Sequence, residues 1–249
     1  MNNYCLTYLF SIDLSSTQLS RSSKPTLVST GLNSLDHILG GEGYPEKSAV
    51  LLVGAPGVGK EALGYWFTHS GLSQGDFCLY VTRLSAREIL KDSKAFGVNY
   101  EQRVPFWVAG DGGQLKCDVN DLSGLSFNIK DILKKNNPRR IRIVTDIVST
   151  LLMMSSPETV YKFLSQLISE IKQHDAVVLA TLEDGMHSPQ VITAMQQLFD
   201  GVVEFRVYEE GLKFTPILRI RKMIGVTPST GYYNFSFTKN GLELSAYAK

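Results

Sequence analysis

The sequence contains few cysteines and no long apolar run, and both absences narrow what the protein can be. Its three cysteines, Cys5, Cys78 and Cys117, are widely spaced and form no Cys-x-x-Cys pair. This pattern argues against a disulfide framework or a zinc site and predicts a reducing, cytoplasmic location. No apolar stretch approaches the roughly 18 residues that a membrane-spanning helix needs. Asp13 interrupts the short apolar stretch near the N-terminus, which argues against a signal peptide.

The chain also has no marked excess of positive or negative residues. The chain carries 25 Lys and Arg against 24 Asp and Glu, a formal net charge of +1. This balance gives no electrostatic support for binding nucleic acid or an anionic membrane. The four histidines show no ligand spacing and have no nearby cysteine, so we interpret them as structural or surface residues. They are His37, His69, His174 and His187.

The first residues differ in composition from the rest of the chain. Ser15–Lys24 is polar and rich in serine, and Pro25 follows it. We therefore predict a tail over residues 1–25, either disordered or forming an added edge element, ahead of one domain over residues 26–249. A chain of 249 residues can bury a sizeable core without disulfides or a metal.

The domain alternates between strand and helix patterns. We predict strands at 48–53, 77–82, 106–108, 141–145, 176–182 and 201–208. Helices are expected after Lys60, Ser85, Ser156 and Ser188 and near 122–133, with Gly71 and Gly75 ending the first. Such alternation predicts an α/β fold, with a mostly parallel sheet that helices flank on both faces.

The pattern changes near the C-terminus. We predict antiparallel strands at Leu212–Arg221 and Tyr232–Thr238, and a hairpin turn at Lys239–Gly241. We therefore predict a C-terminal antiparallel extension of the sheet. Ligands of a parallel sheet bind at the carboxyl ends of its strands, so the loops after those ends are the first place to look for a site.

One such loop has the composition of a phosphate-binding loop. Its glycines allow backbone N–H groups to surround a phosphate, the following helix adds its positive end, and a lysine reaches the β- and γ-phosphates. The alternative is a tight strand-to-helix turn without a ligand. The predicted nucleotide-binding residues are Gly54, Ala55, Pro56, Gly57, Val58, Gly59 and Lys60.

The segment before this loop carries a family resemblance. Thr30–Gly41, followed by Pro45 and then the loop, resembles the start of a KaiC-like domain of the RecA superfamily. The resemblance extends through Asp146 to Lys222–Gly225. It implies a RecA-like fold, binding of ATP with Mg²⁺, and often a ring or filament with nucleotide between subunits.

The sequence departs from the expected pattern directly after the loop. Glu61 stands where a Ser or Thr would supply a hydroxyl to Mg²⁺. A carboxylate can also bind Mg²⁺, so Glu61 is a candidate metal ligand and nucleotide contact. Without a metal, its charge would repel the phosphates. The alternative is that Glu61 turns away and only favours the helix N-terminus.

Two more acids are candidate site residues. Asp146 ends an apolar strand, as the magnesium-ordering Asp of nucleotide sites does; such a residue can also be a simple turn former. Glu183 follows the strand 176–182, where the resemblance places an acidic residue. It would orient a water molecule as the catalytic residue, or it would only be solvated.

Two further positions differ from the family pattern. The family carries paired glutamates, which activate water, where this chain has Arg83 and Leu84. Arg83 is either a surface residue or a phosphate contact. Lys222 matches a family lysine that reaches the neighbouring subunit's nucleotide, but Ile224 replaces the Arg that follows it. An Arg in that role accelerates phosphoryl transfer by orders of magnitude, so these changes argue against fast hydrolysis.

Three functions remain open at this point. The first is an ATP-dependent switch or assembly component that hydrolyses slowly or not at all, with a ring of identical chains or a protein partner. The second is an active ATPase or kinase whose base is Glu61 or Glu183. The third is a recombinase-like DNA-binding protein, which the balanced charge disfavours.

Overall fold

The computed structural model describes residues 26–41, 43–100, 107–109, 118–136, 139–239 and 241–247. The predicted tail over residues 1–25 lies outside the described residues. Within those ranges, no helix is both long and apolar enough to cross a membrane.

Strands and helices alternate through most of the described chain. The strands are β1 Leu27–Val28, β2 Tyr44–Pro45, β3 Ala49–Gly54, β4 Phe77–Val81, β5 Trp107–Ala109, β6 Ile141–Thr145, β7 Ala176–Glu183, β8 Gly201–Glu210, β9 Lys213–Met223, β10 Tyr233–Thr238 and β11 Gly241–Ala246. The helices are α1 Asn33–Ile38, α2 Glu61–Ser73, α3 Ala86–Ala95, α4 Leu122–Asn136, α5 Val148–Met154, α6 Pro157–Ile171 and α7 Pro189–Leu198.

Nine of these strands form one sheet. Its order is β11-β10-β9-β8-β3-β7-β6-β4-β5. The strands from β8 to β5 pair in parallel, and β8, β9, β10 and β11 pair antiparallel in sequence. The prediction of a mostly parallel sheet with a C-terminal antiparallel extension is confirmed.

The central strand β3 separates two hydrophobic cores. Successive side chains of a strand point to opposite faces. Leu51 and Val53 therefore join the core beneath α4–α7, and Val50 and Leu52 join the core beneath α1–α3. Because both faces are covered, β3 is a continuous apolar run, as buried parallel strands are.

Local signals for helix starts agree with the structure. Ser85 and Glu88 form the predicted capping box, and the side chain of Ser156 accepts a hydrogen bond from the Thr159 backbone N–H. Ser188 caps α7 in the same manner. Each cap satisfies a backbone N–H group that lacks a partner within the helix.

Three local expectations were wrong or incomplete. Gly71 does not end α2, which continues to Ser73. A Cβ at Gly71 would lie 2.4 Å from Cδ of Arg142, so this glycine makes room for a buried arginine. The short helices α1 and α5 were not predicted; they are held by buried side chains such as Leu35 and Leu151 rather than by local propensity.

Candidate functional site

Four neighbouring parallel strands end at the same edge of the sheet. β3 ends at Gly54 and β7 at Glu183, and these two residues are register partners. Thr82 follows β4, and Asp146 follows β6. Sheet pairing therefore gathers the phosphate loop and three of the chemically active side chains, although they are far apart in sequence.

The predicted phosphate loop connects β3 to α2. The Val58 N–H donates to the Ala55 carbonyl at 3.3 Å, which closes a tight turn. Gly57 and Gly59 have φ angles of +74° and +93°, a conformation that glycine adopts without strain. No atom lies within 4 Å of a Cβ position on Gly57, so that side of the loop is open.

Lys60 is completely buried and paired at the end of this loop. Its Nζ lies 2.8 Å from Glu61 Oε1 and 2.7 Å from Glu183 Oε2. It also donates to the Ala55 carbonyl oxygen at 3.3 Å. A lone buried charge is costly unless it is paired, and here two carboxylates pair with the ammonium group.

Glu61 and Glu183 keep partial contact with solvent while they hold Lys60. Their side chains are 33% and 23% exposed. Glu61 therefore does not turn away from the loop, and Glu183 is not merely solvated. The Glu183 backbone N–H also donates to Ser149 Oγ of α5 at 2.9 Å, which fixes the end of β7.

Asp146 accepts a hydrogen bond from Thr82 across the ends of β6 and β4. The Thr82 Oγ1 to Asp146 Oδ2 distance is 2.7 Å, and the Leu84 N–H donates to the same Thr82 hydroxyl at 3.0 Å. Burial raises the pKa of Asp146, and the charge of Glu61 raises this pKa further. The two acids are therefore electrostatically coupled.

A small cavity of about 40 Å³ lies where these side chains meet. Glu61, Thr82 and Asp146 line it, and their oxygens are the hard ligands that Mg²⁺ prefers. Among the described residues, no group of three or more His, Cys, Asp or Glu side chains is arranged to hold a metal. Mg²⁺ ordinarily binds through one or two carboxylates plus substrate phosphates, so this set fits the ion together with a nucleotide.

Neither residue at the position of the family's glutamates supplies a base. Arg83 and Leu84 are exposed, and the positive charge of Arg83 acts on Asp146 by lowering its pKa. A contact between Arg83 and a phosphate stays a prediction. Glu183 is the acid nearest to Lys60 that lies outside the loop and α2.

Lys222 lies at the opposite edge of the sheet. It is the register partner of Val202 near the start of β8, whereas the phosphate loop follows the end of β3. Burial lowers the pKa of Lys222, with Lys172 adding to this effect and Asp200 opposing it. The structure therefore does not bring Lys222 to this chain's own phosphate loop, and its contact with another chain's nucleotide stays a prediction.

Several residues near the site were not identified from the sequence. Thr82 has no motif of its own, yet it anchors Asp146. Phe237 of β10 would contact a Cβ on Gly59 at 3.1 Å, and Phe96 packs edge-on against Phe237 with ring centroids 5.4 Å apart. Phe237, on a strand about 180 residues further along, thus brings an apolar surface to the loop, and Phe96 at the end of α3 supports it.

A solved structure is similar in fold, and several proteins are similar in sequence. A KaiC-like protein from the hyperthermophilic archaeon Pyrococcus horikoshii superposes with a TM-score of 0.75 at 21% identity, covering 89% of this chain and 99% of that one. The UPF0273 protein of Saccharolobus solfataricus is 29% identical over 236 residues, which are 86% of this chain and 81% of that protein.

Longer relatives match as well. The circadian clock protein KaiC2 of Synechocystis is 24% identical over 243 residues, which are 94% of this chain. The chain spans less than half the length of KaiC2 and of KaiC3 from the same organism. The family model described as "ATPase: KaiC" matches residues 28–248. This chain therefore belongs to the KaiC family of ATPases.

Proposed function

We propose that this protein binds ATP together with Mg²⁺ at the phosphate loop and works as an ATP-dependent switch or assembly component with slow or absent hydrolysis. The observation that carries this proposal is the double ion pair of Lys60 with Glu61 and Glu183. A nucleotide phosphate that reaches Lys60 must replace at least one of these carboxylates. Nucleotide binding thus exchanges one set of buried ionic contacts for another, as a two-state switch requires.

Binding at this site should depend on a divalent cation. Glu61 places a negative charge beside the position that the phosphates would take, and Asp146 lies across the same small cavity. Mg²⁺ would neutralise these charges and link the carboxylates to the phosphate oxygens. Metal-free ATP would meet two carboxylates without compensation and would bind weakly.

Slow hydrolysis follows from the missing catalytic groups. Arg83 and Leu84 cannot accept a proton from water, and Ile224 cannot stabilise transition-state charge as an Arg does. The remaining acids near Lys60 are already engaged as its partners. Turnover should therefore lie well below the rates of ordinary ATPases.

One observation favours an active ATPase as the second candidate. Glu183 Oε2 lies 2.7 Å from Lys60 Nζ, so a phosphate that takes over the lysine would release this carboxylate beside the reacting group. A freed Glu183 could then orient water as a general base. In this case the Lys60–Glu183 pair is the resting state of a catalytic residue.

The main experiment measures ATP binding by calorimetry, with and without Mg²⁺, and phosphate release on the same sample. Lys60→Met should weaken binding by at least about 30-fold, because it removes a buried charge contact. Glu183→Gln should strengthen binding about tenfold, because a competitor for Lys60 loses its charge. Light scattering on these samples would report ATP-dependent assembly. The same measurement on Lys222→Ala would test whether this lysine contributes to the contact between chains.

The outcomes separate the candidates. Mg²⁺-dependent binding with little phosphate release supports the switch. Rapid release that Glu183→Gln abolishes while ATP still binds supports the ATPase instead. Absence of ATP binding under all conditions would contradict both, and would mean that Glu61 disables the loop.

A further inference from the structure

A second, larger cavity lies on the other face of the sheet from α2. Its volume is about 370 Å³, which falls in the range of small-molecule sites. Val53 lines it and belongs to the core beneath α4–α7. The remaining walls come from the segment after β7, the first turns of α7, and the paired strands β8 and β9. Lys60 and Glu61 are not part of this lining.

Positive charge is concentrated on one wall of this cavity. The buried carboxylate of Glu204 accepts hydrogen bonds from Arg219 Nε at 2.7 Å and from Arg221 Nη1 at 2.5 Å. Arg206 Nη2 lies 3.5 Å from Glu204 Oε2. Three guanidinium groups thus surround one acid, and the cluster carries an excess of two positive charges.

Glu204 holds these arginines in place. Burial alone would raise its pKa, but hydrogen bonds from Arg221 and Arg219 bring the pKa below its usual value. The acid therefore stays ionised at neutral pH. Guanidinium groups held this way on rigid strands lose little entropy when they bind an anion through their fork of N–H donors.

Two of the arginines have donors left for a ligand. Arg206 and Arg221 line the cavity, and about half of each side chain is exposed. A guanidinium carries five N–H donors, and Arg221 uses Nη1 for Glu204. The acids of the lining are Glu204 and the exposed Asp184. With Arg219, which binds Glu204 from outside the lining, three arginines stand against these two acids, an excess of one positive charge.

His187 adds a polar atom that lacks a partner. Its Nε2 is buried and makes no hydrogen bond within the described part of the chain, and the residue lines the cavity. Buried polar atoms almost always have a partner. Ile192 and Pro189 lie on the same wall, so apolar surface stands beside the polar groups.

We propose that this cavity is a second binding site, separate from the phosphate loop, for a small organic anion. A phosphate or carboxylate group of the ligand would bind Arg206 and Arg221, and the His187 ring in the lining would sense the bound charge. The body of the ligand would lie against Ile192 and Pro189. The volume exceeds what an inorganic anion fills, which favours a ligand with an organic part.

The test is an NMR titration that follows the His187 imidazole signal, assigned by its loss in His187→Gln. Inorganic phosphate is the probe in one arm and citrate in the other, so the arms separate phosphate from carboxylate recognition. A saturable change in the His187 chemical shift is expected with at least one probe, both in the wild type and in Lys60→Met. The second sample excludes an indirect effect of phosphate bound at the loop.

Arg206→Gln is the decisive variant, because Glu204 keeps its hydrogen bonds to Arg219 and Arg221 and the fold is preserved. It should weaken binding about tenfold, the loss of one charge-assisted contact. Lys213→Gln removes the same charge from an exposed position on β9 and should leave affinity unchanged. An unmoved His187 signal with both probes, or equal weakening by the two variants, would overturn the proposal.

Discussion

Lys60 and Arg142 both have fully buried side chains, yet the partners of the two cations differ. Arg142 binds Asp76 at 2.7 Å, the carbonyl oxygens of Ser29 and Phe67, and the Gln74 side chain. Its guanidinium also lies 4.6 Å from the centre of the Phe67 ring. These are groups of the surrounding fold that no ligand replaces.

The partners of Lys60 are of another kind. Glu61 and Glu183 both reach solvent, and Glu61 also lines the small cavity beside Asp146. Either carboxylate can turn to water or to a metal ion while the other stays paired with Lys60. Burial alone therefore does not separate a structural cation from a functional one; the solvent accessibility of its partners does.

The largest loss of stability is expected when the structural cation, Arg142, is removed. Arg142→Met leaves Asp76 buried without its partner, which costs about 3–5 kcal/mol and lowers the Tm by roughly 10 °C in a chain of this size. Lys60→Met should lower the Tm by less than about half as much, because its two carboxylates can be hydrated. Thermal unfolding followed by circular dichroism, without nucleotide, measures both. Equal losses of stability would refute the distinction between the two cations.

A second prediction concerns the charge beside the phosphate loop. Glu61→Gln should raise the affinity for metal-free ATP about tenfold, because it removes a like charge next to the phosphates. The increase in ATP affinity on adding Mg²⁺ should become smaller by the same factor. The matched control is Glu158→Gln, since Glu158 also lies in the first turn of a helix, but one that packs on the opposite face of the sheet from α2. An unchanged ratio of affinities with and without Mg²⁺ would rule out a metal role for Glu61.

The smallest effect concerns Asp146. Because burial raises its pKa, the folded state binds a proton more tightly than the unfolded state, and wild-type stability falls as pH rises above about 4. Asp146→Asn lacks this penalty and can still accept the Thr82 hydrogen bond. Its Tm should exceed that of the wild type by about 2 °C at pH 7, with a difference that vanishes near pH 4. A lower Tm for the variant at pH 7 would contradict this account.

The sequence predicted the fold well because its signals are local. Alternating apolar runs, the Ser85–Glu88 capping box and the Ser-Pro helix starts all act within a few residues. The helix end predicted at Gly71 was wrong because the role of this glycine depends on Arg142, which is 71 positions away in the chain. α5 was missed for the same reason, since its stability comes from burial against distant strands.

The site was predictable only in part. Glycine spacing and strand-terminal acids identified Lys60, Asp146 and Glu183 as candidates. The ion pair between Lys60 and Glu183 could not be foreseen, because it depends on β3 and β7 being neighbours in the sheet. Strand order is set by the packing of all the helices and strands together, and no single segment encodes it.

Glu183 also begins the segment that borders the second cavity. Its carboxylate is held by Lys60, and the next residue, Asp184, donates its N–H to the Gly54 carbonyl at 2.9 Å. If a nucleotide draws Lys60 away from Glu183, the change falls at the start of a segment that ends at His187. Any effect that ATP then has on the affinity for an anion in the second cavity would be matched by an equal effect of that anion on ATP affinity, by thermodynamic linkage. The end of one strand would then connect the two proposed sites.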